Sequence, residues 1–125
     1  MRRVQLVILG AVIVTACKSS PLVAPVASTI TVFSSSAAIA PGGTAEVSAV
    51  VIEEAGTPVH DGTVVRFTAT LGTVEPVEVE TRDGVATTVF TAGSTAGTAQ
   101  IAAESGLATP VGEDGTNFVE ITIAN

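Results

Sequence analysis

From Ser28 to the end of the chain, apolar residues return at every second position in short runs, and Gly, Pro or Asp cuts each run. At that period, successive side chains point to opposite faces of a strand, so the pattern specifies half-buried strands rather than helices. Ala45, Val47, Ala49 and Val51 form one small apolar face, alternating with Glu46, Ser48, Val50 and Ile52. Ile30 and Val32 open an earlier strand. Later inward sets are Val65, Phe67 and Ala69; Ala86, Thr88 and Phe90; Ala99, Ile101 and Ala103; and finally Val119, Ile121 and Ile123. Val77, Val79 and Thr81 alternate with Glu78, Glu80 and Arg82, which turns both glutamates toward water. Asp83-Gly84 is the strongest hairpin signal, predicted to join that strand to Val85 through Ala92. Leu71 to Val74 is too short to assign from pattern alone.

Seven or eight short strands, with a turn about every ten residues over roughly 100 residues, predict an all-β chain folded as an immunoglobulin-like two-sheet sandwich. Composition agrees, being rich in Val, Thr, Ala and Gly and without Trp or Tyr. No helix of useful length is expected.

The first residues follow a different rule. Met1-Arg2-Arg3 is basic, Val4 to Val14 is apolar apart from Gln5 and Gly10, and Thr15-Ala16-Cys17 ends the run with small residues. That is the layout of a secretory signal. The apolar run is roughly half of the ~20 residues a membrane-spanning helix requires. The residues flanking Arg2-Arg3 do not support twin-arginine export. Val14-Thr15-Ala16-Cys17 resembles the lipobox of bacterial lipoproteins, with Thr15 a mild departure from the usual Ala or Ser. The resemblance implies cleavage before Cys17 and lipid on its thiol. The expected organisation is a signal peptide over 1–16, lipidated Cys17 and an extended tether over 17–27, and the sandwich over 28–125. Lys18 after the cysteine resembles the outer-membrane default rather than inner-membrane retention. The expected location is therefore the bacterial cell envelope, at the outer membrane.

Within the sandwich, Gly56-Thr57-Pro58-Val59, Asp61-Gly62-Thr63-Val64-Val65-Arg66-Phe67, Gly72, Thr81-Arg82-Asp83-Gly84-Val85-Ala86 and Gly97-Thr98-Ala99-Gln100-Ile101-Ala102-Ala103 stand in a fixed order. As a set they resemble the bacterial Ig-like domain group 1, the repeat of invasin and intimin stalks. The resemblance implies a rigid extracellular spacer or adhesive module, although this sequence carries no barrel, no lectin-like tip and no second repeat. Adhesion enters as an expectation of the family.

Chemistry is sparse. The net charge is −7, and once Arg2 and Arg3 are removed, Lys18, Arg66 and Arg82 face twelve carboxylates, leaving about −9. Such a domain is repelled by phosphate backbones, so nucleic acid is not an expected partner. The single histidine, His60, sits beside the Asp61-Gly62 turn and reads as an exposed turn residue rather than a base. Glu113, Asp114 and Asn117 could offer oxygen ligands to Ca²⁺, but their spacing lacks the alternation of a dedicated loop and reads as a solvated acidic loop. Glu53-Glu54 reads likewise. Sugars stack on exposed rings, and only Phe33 and Phe118 are candidates. No catalytic residue, metal or cofactor is expected. The leading expectation is a lipid-anchored envelope module for spacing, display or adhesion, with an unidentified envelope protein as partner. The alternatives are a periplasmic accessory subunit of an envelope complex and a small carbohydrate-binding protein.

Overall fold

Alternating burial builds the protein, seen in a computed structural model that describes residues 22–110 and 118–125. Ten strands follow in order: β1 (Thr29–Ser34), β2 (Ala38–Ile39), β3 (Thr44–Ile52), β4 (Val64–Ala69), β5 (Thr73–Glu75), β6 (Glu78–Glu80), β7 (Val85–Thr91), β8 (Gly97–Glu104), β9 (Thr109–Pro110) and β10 (Phe118–Ile123). Eight of them span three residues or more, in line with the turn spacing. They form two five-stranded sheets, ordered β5-β7-β3-β1-β9 and β2-β10-β8-β4-β6. The fold is an Ig-like β-sandwich, as the sequence predicts.

The longest alternation makes the longest strand. β3 buries Ala45, Val47, Ala49 and Val51 in strict register, and the partner strands bring Ile30, Val32, Ala86, Thr88 and Phe90 to the same side. From the other sheet come Val65, Phe67, Ala99, Ile101, Ala103, Ile121 and Ile123. Phe67 and Phe90 are the largest fully buried side chains. Each contributes roughly 1.5–3 kcal/mol by leaving water. The remaining space is filled by Val, Ile and Ala, small enough to let the two sheets close over two rings.

Successive strands lie in opposite sheets throughout, and two of these transfers are short. β1 leaves the first sheet after Ser34 and continues as β2, which pairs in parallel with β10 in the second. Thr73 to Glu80 does the reverse of a hairpin, since β5 pairs with β7 while β6 pairs with β4 in the opposite sheet. Pro76 lies at that crossing, where a residue without an N–H costs no ladder bond.

The Asp83-Gly84 expectation is met only locally. Both residues have positive φ, 52° and 80°, as a tight two-residue turn demands. Arg82 and Val85 exchange backbone bonds of 2.9 and 3.0 Å. Yet the flanking strands then part, β6 to β4 and β7 to β3, so the hairpin is one bridge long. The turn chemistry fixes a reversal of direction. Which sheet each arm joins is decided by burial of Ala86, Thr88 and Phe90 against β3. On the other arm Thr81 is buried, Val79 is half-buried, and Val77 is exposed rather than inward.

A second difference concerns the expected tether. Leu22 to Ser28 is docked on the domain rather than extended away from it. Leu22 bridges Thr63, its carbonyl accepts from the Val64 N–H at 2.7 Å, and Ala24 and Ser28 are buried. The prolines and serines read as a linker, but main-chain bonds and the burial of Ala24 hold the segment to the domain.

Candidate functional site

Two of the sites anticipated from sequence, Cys17 and the acidic loop Glu113, Asp114 and Asn117, lie outside the described residues. His60 lies within them, and its side chain is exposed. The residue takes part in the fold through its backbone. Its carbonyl accepts from Thr63 N–H at 3.2 Å, from Thr63 Oγ1 at 2.6 Å and from Thr81 Oγ1 at 3.1 Å. Thr63 N–H also points at Thr81 Oγ1, 3.2 Å away. Thr63 and Thr81 are buried, and their hydroxyls are occupied in holding this turn to the chain entering Arg82. Both hydroxyls donate to a main-chain carbonyl, so what the cluster does in the structure is fasten a loop. Neighbouring Asp61 is also committed: its Oδ1 accepts from Asp83 N–H at 2.8 Å. Among the described residues, no three His, Cys, Asp or Glu side chains gather as metal ligands would.

The N-terminal segment builds a distinct end of the sandwich. Ser105 Oγ donates to Val64 O at 2.6 Å and accepts from Ala24 N–H at 3.4 Å, while Leu107 N–H donates to Ala24 O at 3.2 Å. The chain at 22–24 is thus held between the start of β4 and the loop after β8. Gly106, at φ +52°, permits the approach, because a Cβ there would run into the Ala24 carbonyl oxygen. Sequence reading missed this docking. The signal it could have used was Ser105-Gly106 facing an apolar triplet about eighty residues earlier, a long-range pairing that periodicity does not report.

The two outer faces differ in charge. On the first sheet, Phe33, Ser48 and Thr87 form one row, with Thr31, Val50 and Val85 in the next. Neither row holds a charge; Glu46 and Glu75 flank Val89 farther along. Ser48 Oγ and Thr87 Oγ1 share a hydrogen bond of 3.0 Å, and the Phe33 ring is 53 % exposed. Phe118, the other ring singled out, is half-buried. On the second sheet, Arg66 stands between Glu78 and Glu104; Glu80 is also exposed on β6, and Glu120 is exposed two strands away, bonded to Gln100. The Arg66–Glu78 pair is 3.5 Å long and well exposed, a contact of little energetic consequence. Glu78 and Glu80 face solvent, as their alternation predicts.

No protein-family model and no curated protein matches the chain. Solved structures do. The chain is similar to the Yersinia pseudotuberculosis adhesin InvE, with 31 % identity and a TM-score of 0.59 over 77 % of this chain and 26 % of that one. It is also similar to the D0-D1 domain of Intimin, at 20 % identity and a TM-score of 0.62 over 78 % of this chain and 49 % of that one. A glycosyl hydrolase family 2 member from Bacteroides cellulosilyticus shares the fold at 13 % identity, with a TM-score of 0.64 over 82 % of this chain and 15 % of that one. The chain therefore spans about a quarter of the length of InvE and half that of the Intimin fragment. The class defined by fold and likeness is the Ig-like β-sandwich, and the neighbours include invasin- and intimin-type adhesin domains.

Proposed function

We propose that this chain is a lipid-anchored Ig-like module of the bacterial cell envelope that works by contact, as a spacer, display or adhesion domain, and performs no chemistry of its own. The observation that carries this reading is the 31 % identity to InvE, an adhesin, across 77 % of the chain. Support also comes from the ordered motifs resembling the group 1 bacterial Ig-like repeat and from the use of Thr63, Thr81 and Asp61 in fastening turns. The anchor rests on the lipobox-like Val14 to Cys17, and Lys18 favours the outer membrane. The partner is a protein of the envelope.

The test compares Cys17→Ser with His60→Ala and Asp114→Ala in cells, scoring the envelope defect that deletion causes. The expected result is that Cys17→Ser leaves an uncleaved or soluble species without lipid and reproduces the deletion, while the other two behave as the parent. Loss of function in His60→Ala or Asp114→Ala, with protein folded and anchored, would show a catalytic or metal site and sink the contact reading. Intact mass of the membrane form should show acyl chains on Cys17; their absence removes the anchor.

A further inference from the structure

We infer that the end of the sandwich carrying Leu22, Val23, Val26 and Leu107 rests against the phospholipid bilayer that holds the lipid of Cys17. The inference depends on the lipid anchor proposed above and adds an orientation and a contact surface to it. Cys17 and Leu22 are five residue steps apart, with Lys18 to Pro21 between them. Fully extended, at about 3.4 Å each, the steps reach no more than about 17 Å. Leu22 is itself fixed to the domain by its bridge to Thr63 and the bond from Val64 N–H. The leash therefore ends on a rigid point, and this end of the domain stays within one leash length of the lipid. The opposite end, at the Gly93 to Gly97 turn, is about 30 Å farther along the nine-residue β3, at ~3.4 Å per residue.

The side chains at the tethered end fit that position. Leu22, Val23, Val26 and Leu107 are 45, 50, 71 and 68 % exposed, half of the large apolar side chains exposed in the described residues. Leu107 N–H bonds to Ala24 O and Gly106 lies directly against Val23, while Val26, two residues beyond Ala24, lies beside Glu53 and Glu54 at the end of β3. Apolar surface kept wet beside a bilayer lowers its free energy by entering the headgroup and acyl boundary. Glu53 and Glu54 border Val26 in a shallow depression with Pro25 and Ala55. Their carboxylates keep water, so the contact stops at headgroup level and favours neutral headgroups.

The chain has no Trp, so one indole reports one place. Leu107→Trp, Val26→Trp and, at the far end, Ser94→Trp are each purified as the full lipidated chain and reconstituted in phosphatidylcholine vesicles containing lipids brominated near the headgroup. All three positions are exposed, which keeps the fold intact. Quenching should be several-fold stronger for Leu107→Trp and Val26→Trp than for Ser94→Trp, with emission shifted to the blue. Equal quenching at all three positions, with the lipid mass present on Cys17, overturns the docking and leaves the anchor standing. Chains that lack lipid on Cys17 overturn both.

Discussion

Gly72 offers a sharp test of how the first sheet closes on its largest side chain. It lies just before β5 at φ +77°, and a Cβ there would stand 2.6 Å from Thr91 O and 2.7 Å from the Phe90 ring. Gly72→Ala should cost about 1–2 kcal/mol for a left-handed backbone and about 1–3 kcal/mol for overpacking. Phe90 is fully buried, paired with Ala45 on one side and Val74 on the other. Phe90→Leu keeps most of the volume and loses the ring, for about 1–2 kcal/mol. If the ring is what a methyl group at position 72 strikes, the double variant should be better than the sum of the singles by about 1 kcal/mol, as contacting sites allow. Recovery stays partial because Thr91 O and the backbone strain remain. Urea unfolding of the chain from Lys18 onward, followed by far-UV circular dichroism, gives all four free energies without needing an aromatic reporter. Additivity within about 0.5 kcal/mol, the behaviour of independent sites, would refute the contact, and a Gly72→Ala variant as stable as the parent would refute the close approach altogether.

Four further variants have expected outcomes, read by urea or thermal unfolding. Phe67→Ala should cost about 3–5 kcal/mol, lowering the melting midpoint by at least about 12 °C in a domain of this size; a variant melting like the parent would contradict its burial. Ser28 Oγ is buried with no hydrogen-bond partner among the described residues, so Ser28→Ala should be neutral or stabilising, whereas Thr88→Val, which loses the 2.6 Å bond to Pro76 O, should cost about 1–2 kcal/mol. Arg66→Ala should change stability by no more than about 0.5 kcal/mol, because its pair with Glu78 is exposed and screened; a larger loss would mean that the stem of Arg66 packs, not that the pair is strong.

The parts of this fold legible in the sequence are those governed by neighbours two residues apart. β3 could be read residue by residue because Ala45, Val47, Ala49 and Val51 recur at every second position behind Glu46 and Ser48, and the inward sets of β7, β8 and β10 were read by the same spacing. The period also fixed Phe67 and Phe90 as core residues. Partner choice was not legible in the same way. Asp83-Gly84 forms the turn its composition demands, yet the strands it joins belong to different sheets, because long-range burial outweighs a local preference for continuing the hairpin. The docking of Leu22 to Ala24 on Ser105 and Leu107 was hidden for the same reason, since a single hydroxyl and a single glycine on distant chain positions leave no periodic trace. Of the candidate site, His60 was correctly read as an exposed turn residue. Its carbonyl's role in fastening Thr63 and Thr81 depends on main-chain geometry that residue type does not encode.

The alternation that makes the strands readable also separates the residues that fold the domain from those a partner meets. Inward positions are filled mainly by Val, Ile, Ala and two rings, with buried Thr88 among them, so most changes there act through stability and reveal nothing about contact. Outward positions carry Thr, Val and Phe33 on one sheet and Arg66, Glu78, Glu80, Glu104 and Glu120 on the other. Substitutions at such places usually move stability by no more than about 0.5 kcal/mol. A loss of function from an outward change, in protein that unfolds at the parent's urea midpoint, therefore locates a contact directly. The two faces are also separable by salt. A partner meeting the acidic sheet is held or repelled by charge and responds to ionic strength over a Debye length of about 8 Å at physiological salt. A partner meeting the uncharged rows around Phe33, Val50 and Val85 depends on apolar burial and responds far less.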